Sequence, residues 1–489
     1  MPIFEIGSYF PPSEEQGRID RYRRNKHIFK GNHGLVFNQE KLNEKQAHSI
    51  YISTNLAKLI CIKSADFLFG EPPIYSAGKN DDSNEQKAIE RLVIDNDLNT
   101  TNVESAIGNS YRGDSFYKIR WGQKYGGLLS KDIDPFRVII ESQKAEYVFI
   151  ETIPGDTKTI YAYHIAFPQV VEETGDQEWI LKVESHYPGK IVYSEYKMTP
   201  IKTSKIENEV ITWKIESEHE GSKSEVETGV PFPLVVHVPN YTTDDDCLGI
   251  DDISESESLF DEINNRLSKI AEILDKHSDP AMVVPVGSLD IDERGNPVFR
   301  TGRDKVFEAE KNDLLPQYIT WNGQLEAAFK ELDKLVDQVL LVSEIPPVAL
   351  GKDNSGTSGA SGLSIKWRMN SLLSKINRKR QYYDKALRQV LLIAQMLEHS
   401  KVGKEKLGYD ITIPKIKFRD GLPDDEMEQA TIAQVRTGGK PTQSQLGAIM
   451  EVNGFTEEQA RIELERIREE ERADSFVDTT VFNNVEVEE

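Results

Sequence analysis

Only two cysteines, Cys61 and Cys247, occur in 489 residues, far apart and with no partner at metal-ligand spacing. A disulfide scaffold and a zinc ribbon are therefore excluded, and a reducing compartment is the default. Long apolar runs are missing as well. The richest, Val390 to Leu397, is interrupted by Gln395 and falls far short of the roughly 18 apolar residues of a membrane span. The opening sequence MPIFEIGSYFPPSEEQ lacks the basic start and apolar block of a signal peptide, so none is expected. The nine histidines are scattered singly, with no His-Glu-x-x-His, and no Gly-x-Ser-x-Gly elbow appears. Basic residues are outnumbered, 59 against 82 acidic, for a net charge of −23. That balance argues against a protein gripping nucleic acid over its whole surface, but not against one that lets DNA slide past.

What is present suffices for real cores: 38% hydrophobic and 29% charged residues, at a mean hydropathy of −0.51. At about 150 residues per domain the length suggests about three units. A basic run (Arg18, Arg21, Arg23, Arg24, Lys26, Lys30) opens the chain. Apolar spacing then predicts a helix over about 45–69, stopped by Gly70-Glu71-Pro72-Pro73, and a short helix over 83–98. Between 116 and 240, short β-branched and aromatic runs (116–121, 137–140, 147–152, 159–167, 179–185, 190–196, 210–215) alternate with Gly, Pro, Asp and Asn. This is an antiparallel, strand-rich region.

Two helices of similar length follow. In 253–276 the apolar residues Phe260, Ile263, Leu267, Ile270 and Leu274 repeat every three or four positions, as do Leu325, Phe329, Leu332, Val336 and Val339 in 321–343. Each carries one narrow apolar stripe on a charged helix, which suits side-by-side or intersubunit packing. A roughly 40-residue insert of strand and turn character separates them. Pro346-Pro347 ends the second helix, and a loop with glycines at 351, 356, 359 and 362 follows. A long helix over 363–398 carries eight basic residues against Asp384 and Glu398; its apolar stripe lapses over 377–381, predicting exposure or a kink there. A strand over 411–418, helices started by Thr442-x-x-Gln445 and Thr456-x-x-Gln459, and an acidic tail complete the chain.

Two segments resemble ligand sites. Gly351-x4-Gly356 has phosphate-loop spacing, but Thr357 stands where the lysine must be and the loop follows a helix, not a strand. Residues 244–255 carry Asp244, Asp246, Gly249 and Glu255 at calcium-loop positions, but Leu248 removes an oxygen ligand and no helix precedes them. A turn with acidic capping is the favoured reading of the second. No metal and no cofactor is expected.

Several motifs together resemble the portal proteins of tailed bacteriophages, with the flavour of siphophages of Gram-positive hosts. They are Asn55-x-x-Lys58-x-Ile60, Ala65-Asp66-Phe67-Leu68-Phe69-Gly70-Glu71-Pro72-Pro73, Pro233-Leu234-Val235 with Asn240 ahead of Gly249-Ile250-Asp251-Asp252-Ile253, and Ser358-Gly359-Ala360-Ser361-Gly362 before a long helix. The resemblance implies an α+β subunit: wing (1–248), stem helix (249–278), α/β clip (279–320), stem helix (321–347), tunnel loop (348–362), long helix and wing return (363–420), helical crown (421–475) and acidic tail (476–489). It implies a non-enzymatic homo-oligomeric ring, usually a dodecamer, at one capsid vertex of the virion and in the host cytoplasm during assembly. Double-stranded DNA would pass through without sequence specificity. Partners would be the terminase large subunit, the major capsid and scaffolding proteins and the head-completion or adaptor proteins, with no membrane. A scaffold or adaptor without a channel, or a packaging ATPase, are the alternatives.

On that reading the tunnel loop touches DNA through Lys352, Asp353, Asn354, Ser355, Thr357 and Ser358. The acidic stem faces (Asp251, Asp252, Glu255, Glu257, Asp261, Glu262, Glu331, Asp333, Asp337) line the channel and repel phosphate. Subunit contacts fall on Phe260, Ile263, Leu267, Leu325, Phe329 and Leu332 of the stem and on Arg378, Lys379 and Arg380 of the long helix.

Overall fold

The computed structural model describes residues 3–37, 51–79, 81–173, 176–204, 210–219, 223–278, 325–352, 362–419, 426–439, 441–453 and 457–477, with short pieces at 282–283, 290–291, 295, 297–298 and 317–318. The chain divides into two compact units where its length suggests about three: one of residues 1–22, 61–251 and 346–489, the other of residues 23–60 and 252–345.

The first unit is built on antiparallel sheets, and every strand expected over 116–240 is present. The larger sheet has seven strands. Its main path runs Tyr9–Phe10, Val210–Glu218, Lys190–Thr203, Asp176–Tyr187, Ile160–Glu173, Val148–Thr152, and Ser224–Glu227 adds to Lys190–Thr203. One face buries Phe10, Phe149, Leu181, Trp213 and Ile215 in a shared cluster. A three-stranded sheet orders Val235–Pro239, Asp114–Gly122 and Arg137–Gln143, and the helix Asn370–Val402 packs across it. Phe116 and Val235 of this sheet share a second cluster with Tyr22, Val148 and Tyr163.

Where the structure departs from the sequence reading, polar residues are the reason. Helix Leu98–Arg112 has no apolar stripe because its inward face is hydrogen-bonded. Asn102 donates to the Tyr75 hydroxyl (2.9 Å) and accepts from that of Tyr117 (2.7 Å); Ser105 meets Ser115 and Tyr383 (2.9 and 3.1 Å); Asn109 donates to the Val238 carbonyl (2.7 Å). The helix expected from about 45 begins at Leu56, where the Asn55 side chain caps the Lys58 N–H at 3.0 Å. The long helix breaks at Met369, not at 377–381, and then continues to Val402. Its stripe persists through that stretch because Lys375 and Lys379 are buried at positions normally apolar, where their aliphatic stems can pack. The strand near 411–418 shortens to Lys415–Lys417, and Ser444, not Thr442, caps the Gln445–Asn453 helix through the Gly447 N–H.

One buried carboxylate ties the first unit together. Asp114 is fully enclosed, and its Oδ1 accepts from His237 Nε2–H and from the Gly249 N–H, both at 2.7 Å, while Oδ2 accepts from the Tyr22 hydroxyl. Burial, then the adjacent Asp114 charge, holds the Tyr22 phenol far above its usual range. Beside it the backbones of Gly113 and Gly249 nearly touch: a Cβ on Gly249 would lie 1.9 Å from the Gly113 carbonyl oxygen. Gly113 itself has φ +95°, so no other residue fits either position well. Asn240 closes the loop, its N–H donating to the Gly113 carbonyl (2.7 Å) and its amide to that of Ile250 (2.9 Å).

In the second unit, helices Glu257–Ser278 and Leu325–Val342 pack together. The buried residues fall at the start of the first helix (Phe260, Ile263) and at the end of the second (Val339, Leu340), as an antiparallel pair requires. The pair is buried at one end (Phe260, Ile263, Val339) and exposes apolar side chains along the rest (Leu274, Phe329). Asn264 and Ser268, one turn apart, hold the extended segment 51–54: Asn264 Oδ1 accepts the Thr54 N–H and Ser268 Oγ the Ile52 N–H, both at 2.9 Å. Asn264 also donates to His33 Nδ1 (2.8 Å), while His33 Nε2–H donates to the Ile28 carbonyl (3.0 Å), which sets a neutral imidazole.

Two outcomes follow for stability. Asp114→Ala leaves the His237, Tyr22 and Gly249 donors buried without an acceptor, and urea unfolding should show a loss of about 3–5 kcal/mol, with Asp114→Asn losing less. Burial holds His33 and His164 below the usual imidazole range. Their neutral forms favour the fold, so stability should be full above pH about 6.5 and fall as the pH drops through that value. Melting temperatures from pH 7.5 to 5.5 check this, and replacing both histidines by Gln should reduce the slope, the remainder coming from His186, which burial also holds down.

Candidate functional site

The paired helices of the second unit carry the acidic residues singled out above, and the structure sorts them. Glu255, Glu331, Asp333 and Asp337 are exposed, while Glu257, Asp261 and Glu262 are half-buried. Two arginines temper this face: Arg24 pairs with Glu257, and Arg266 bridges Glu262 (2.8 Å) and Glu331 (3.1 Å) across the two helices. Asp251 and Asp252 are buried, so neither belongs to an exposed acidic face.

The expected contact stripe needs correction at its base. Phe260 and Ile263 are enclosed within a single chain and present nothing to a neighbour. Leu267, Leu325 and Leu332 are half-buried and Phe329 is exposed, so the apolar surface on offer lies further along the pair. The basic helix needs the same correction. Lys379 is buried, and Arg380 donates to the backbone carbonyls of Phe67 (3.2 Å) and Arg419, leaving Arg378 as the exposed member of that trio.

The glycine loop begins where Pro347–Leu350 forms a single 3-10 turn, with Gly351 at φ +71° and the Lys352 N–H returning to the Pro347 carbonyl (3.1 Å). Lys352 is exposed; Asp353, Asn354, Ser355, Thr357 and Ser358 lie outside the described residues.

At the start of the acidic loop 244–255 the backbone is held by a lysine of the same chain. The Lys158 ammonium donates to Thr242 Oγ1 (3.0 Å) and to the carbonyls of Thr243 and Asp246. Asp246 Oδ1 accepts the Leu248 N–H (3.0 Å), a local turn. Among the described residues no group of three or more His, Cys, Asp or Glu is placed to hold a metal ion. Beside this loop a cleft of about 670 Å3 is lined by Lys158, Tyr163, His237, Cys247, Tyr382 and Lys385. Burial, then the Asp246 charge, pushes the Cys247 thiol up to about 11, so it stays protonated and poorly nucleophilic at neutral pH.

Sheet register creates one arrangement that spacing along the chain could not reveal. His164 and Ser185 face each other on neighbouring strands, with Ser185 Oγ at 2.8 Å from Nδ1 and Glu151 Oε2 at 3.2 Å from Nε2. Hydroxyl, imidazole and carboxylate stand in hydrolase order. Both Ser185 and His164 are buried within the sheet, so the trio serves as a cross-strand tie. No described helix is long and apolar enough to cross a membrane.

Comparison with known proteins gives the frame for these parts. No curated protein matches the chain. Among solved structures it is similar to a chain in the neck of a native gene transfer agent particle computed with C12 symmetry, at 12% identity over 81% of this chain and 87% of that one, with a TM-score of 0.42. It is likewise similar to a chain in the virion of the native gene transfer agent particle, at 12% identity, 89% and 93% coverage and a TM-score of 0.43. The family model described as phage portal protein, SPP1 Gp6-like, matches residues 12–473, nearly the whole chain and all the motif-bearing segments above; the chain belongs to that portal protein family.

Proposed function

We propose that copies of this portal protein close into a ring, usually of twelve, at one capsid vertex, and that double-stranded DNA is packaged, held and released through its centre. The observation that carries the reading is the family match across residues 12–473. The wing, stem, clip, tunnel-loop and crown boundaries given above belong to the same proposal, as do the terminase, capsid, scaffolding and head-completion partners and a place in the virion.

The chemistry supports a sliding contact. A conduit needs weak, sequence-blind interactions, because extensive phosphate neutralisation would stall translocation. Exposed Asp333, Asp337 and Glu255 would repel the backbone. The loop from Gly351 to Gly362 offers hydroxyls, one amide and the single cation of Lys352 beside Asp353. Subunits would meet along the stem through Leu267, Leu325, Phe329 and Leu332, and along the long helix through Arg378. The protein acts without chemistry of its own, since Thr357 cannot supply what a nucleotide-binding lysine supplies.

Three measurements test this. Negative-stain images of the purified protein should show rings with a central hole; uniformly small, holeless particles would sink the proposal. Deleting Asp353 to Ser358 should leave rings intact, since no apolar residue is lost, yet impair DNA packaging or retention; normally filled capsids would remove the loop from the DNA path. Purified protein should not turn over ATP, and turnover abolished by Gly356→Val would restore the ATPase reading.

A further inference from the structure

We propose that the loop 123–136 is a further contact by which one copy of this chain docks onto a neighbouring copy, beside those named above, a proposal that rests on the ring reading. The loop joins strands Asp114–Gly122 and Arg137–Gln143 and exposes Tyr125, Leu128, Leu129, Ile133 and Phe136. Leu128 is 88% exposed and Ile133 72%. Within fourteen consecutive residues these side chains present on the order of 500 Å2 of apolar surface, a large amount for one loop of a soluble protein. A standard interface takes about 800 Å2 from each partner, so this single loop provides much of one side.

The patch has a fixed shape. Asp134, nearly fully buried among exposed neighbours, accepts the N–H groups of Lys124 (3.1 Å) and Tyr125 (2.9 Å), and its carbonyl accepts from the Gln123 side chain (2.7 Å). Turns close from Leu128 N–H to the Tyr125 carbonyl and from Ile133 N–H to that of Ser130, with Gly126 and Gly127 supplying the positive φ values. Lys131 lies over the Phe136 ring at 5.7 Å. A preorganised apolar loop loses little entropy when covered.

Charge identifies the occupant. The loop carries Lys124 and Lys131 against Asp132 and Asp134, a formal balance of zero in a chain of net −23. A polyanion finds no attraction there. Two copies of a strongly acidic chain repel wherever their acidic surfaces face each other, and they approach at least cost through a net-neutral apolar loop. The chemistry therefore fits a second copy of this chain.

The test is sedimentation velocity of the full-length chain across a concentration series, wild type against Leu128→Ser with Ile133→Ser. Both sites are exposed, so the melting temperature should stay within 2 °C or so of wild type, since surface substitutions of this kind change stability little. The concentration at which rings give way to monomers should rise at least tenfold. Asp134→Ala, which loosens the loop and leaves every apolar side chain in place, should move it the same way by a smaller factor. Rings that persist as in wild type overturn this contact alone, whatever the variant does to binding of capsid proteins or of neutral phosphatidylcholine vesicles. A wild-type chain that stays monomeric throughout overturns both the contact and the ring.

Discussion

The first unit depends on one constraint: the Asp114 carboxylate is buried and must find its hydrogen bonds inside the protein. An ionised carboxylate out of water is tolerated only where several donors converge on it. Here they come from three distant parts of the chain, Tyr22 in the N-terminal helix, His237 in strand Val235–Pro239 and the backbone of Gly249. Bringing the Gly249 N–H within 2.7 Å of a residue next to Gly113 forces two main chains into contact, which explains glycine at both positions. Asn240 then acts as the staple at the neck of the loop, as its two bonds to Gly113 and Ile250 show. The family-like motif of Asn240 and Gly249-Ile250 is thus a folding device, and it accounts for residue choices that a channel function would not.

The same principle recurs along the long helix, which is held by polar contacts as much as by its apolar stripe. Glu398 receives both guanidinium nitrogens of Arg91 at 2.8 Å and the Tyr409 hydroxyl at 2.6 Å, and Gln395 exchanges two bonds with the backbone of Thr412 at 3.0 Å. Tyr383 reaches Ser105 on the helix Leu98–Arg112. Such networks fix one register of packing, since a slipped helix would leave several buried groups without partners.

Legibility in the sequence followed this division between apolar and polar cores. The strands over 116–240 and the paired helices Glu257–Ser278 and Leu325–Val342 follow from periodicity because their buried faces are apolar, as Ile180, Leu181 and Val183 or Phe260 and Ile263 illustrate. Helix Leu98–Arg112 was invisible because Asn102, Ser105 and Asn109 occupy the positions that a stripe would need. Lys375 and Lys379 hid the continuity of the long helix in the same way. A Ser/Asn-rich segment without proline, ending at a glycine, was the available signal for the first. At the candidate site the acidic and apolar residues of the paired helices were legible as a set. Their sorting into enclosed (Phe260, Ile263), ion-paired (Glu257, Glu262, Glu331) and open (Phe329, Asp333, Asp337) members depends on tertiary packing, which spacing along one helix does not encode.

That sorting bears on how a chain carrying 59 lysines and arginines could serve as a path for DNA without holding it. Many of its prominent cations are committed to the chain's own structure. Arg18 binds the carbonyls of Ala145 and Val148, Lys158 fills the loop at 242–246, Lys118 meets Glu184 at 2.6 Å, Arg266 ties the helices Glu257–Ser278 and Leu325–Val342, and Arg380 caps backbone carbonyls. Lys375 and Lys379, in the most basic helix, are buried outright. A guanidinium already bonded to carbonyls or a carboxylate must break those bonds to reach a phosphate, so it contributes little to nucleic-acid affinity. The fold thereby converts a basic-looking segment into structure, and leaves carboxylates such as Asp333 and Asp337 exposed on the helix Leu325–Val342. In the proposed ring, low affinity for the DNA backbone would be a consequence of how each subunit satisfies its own buried groups.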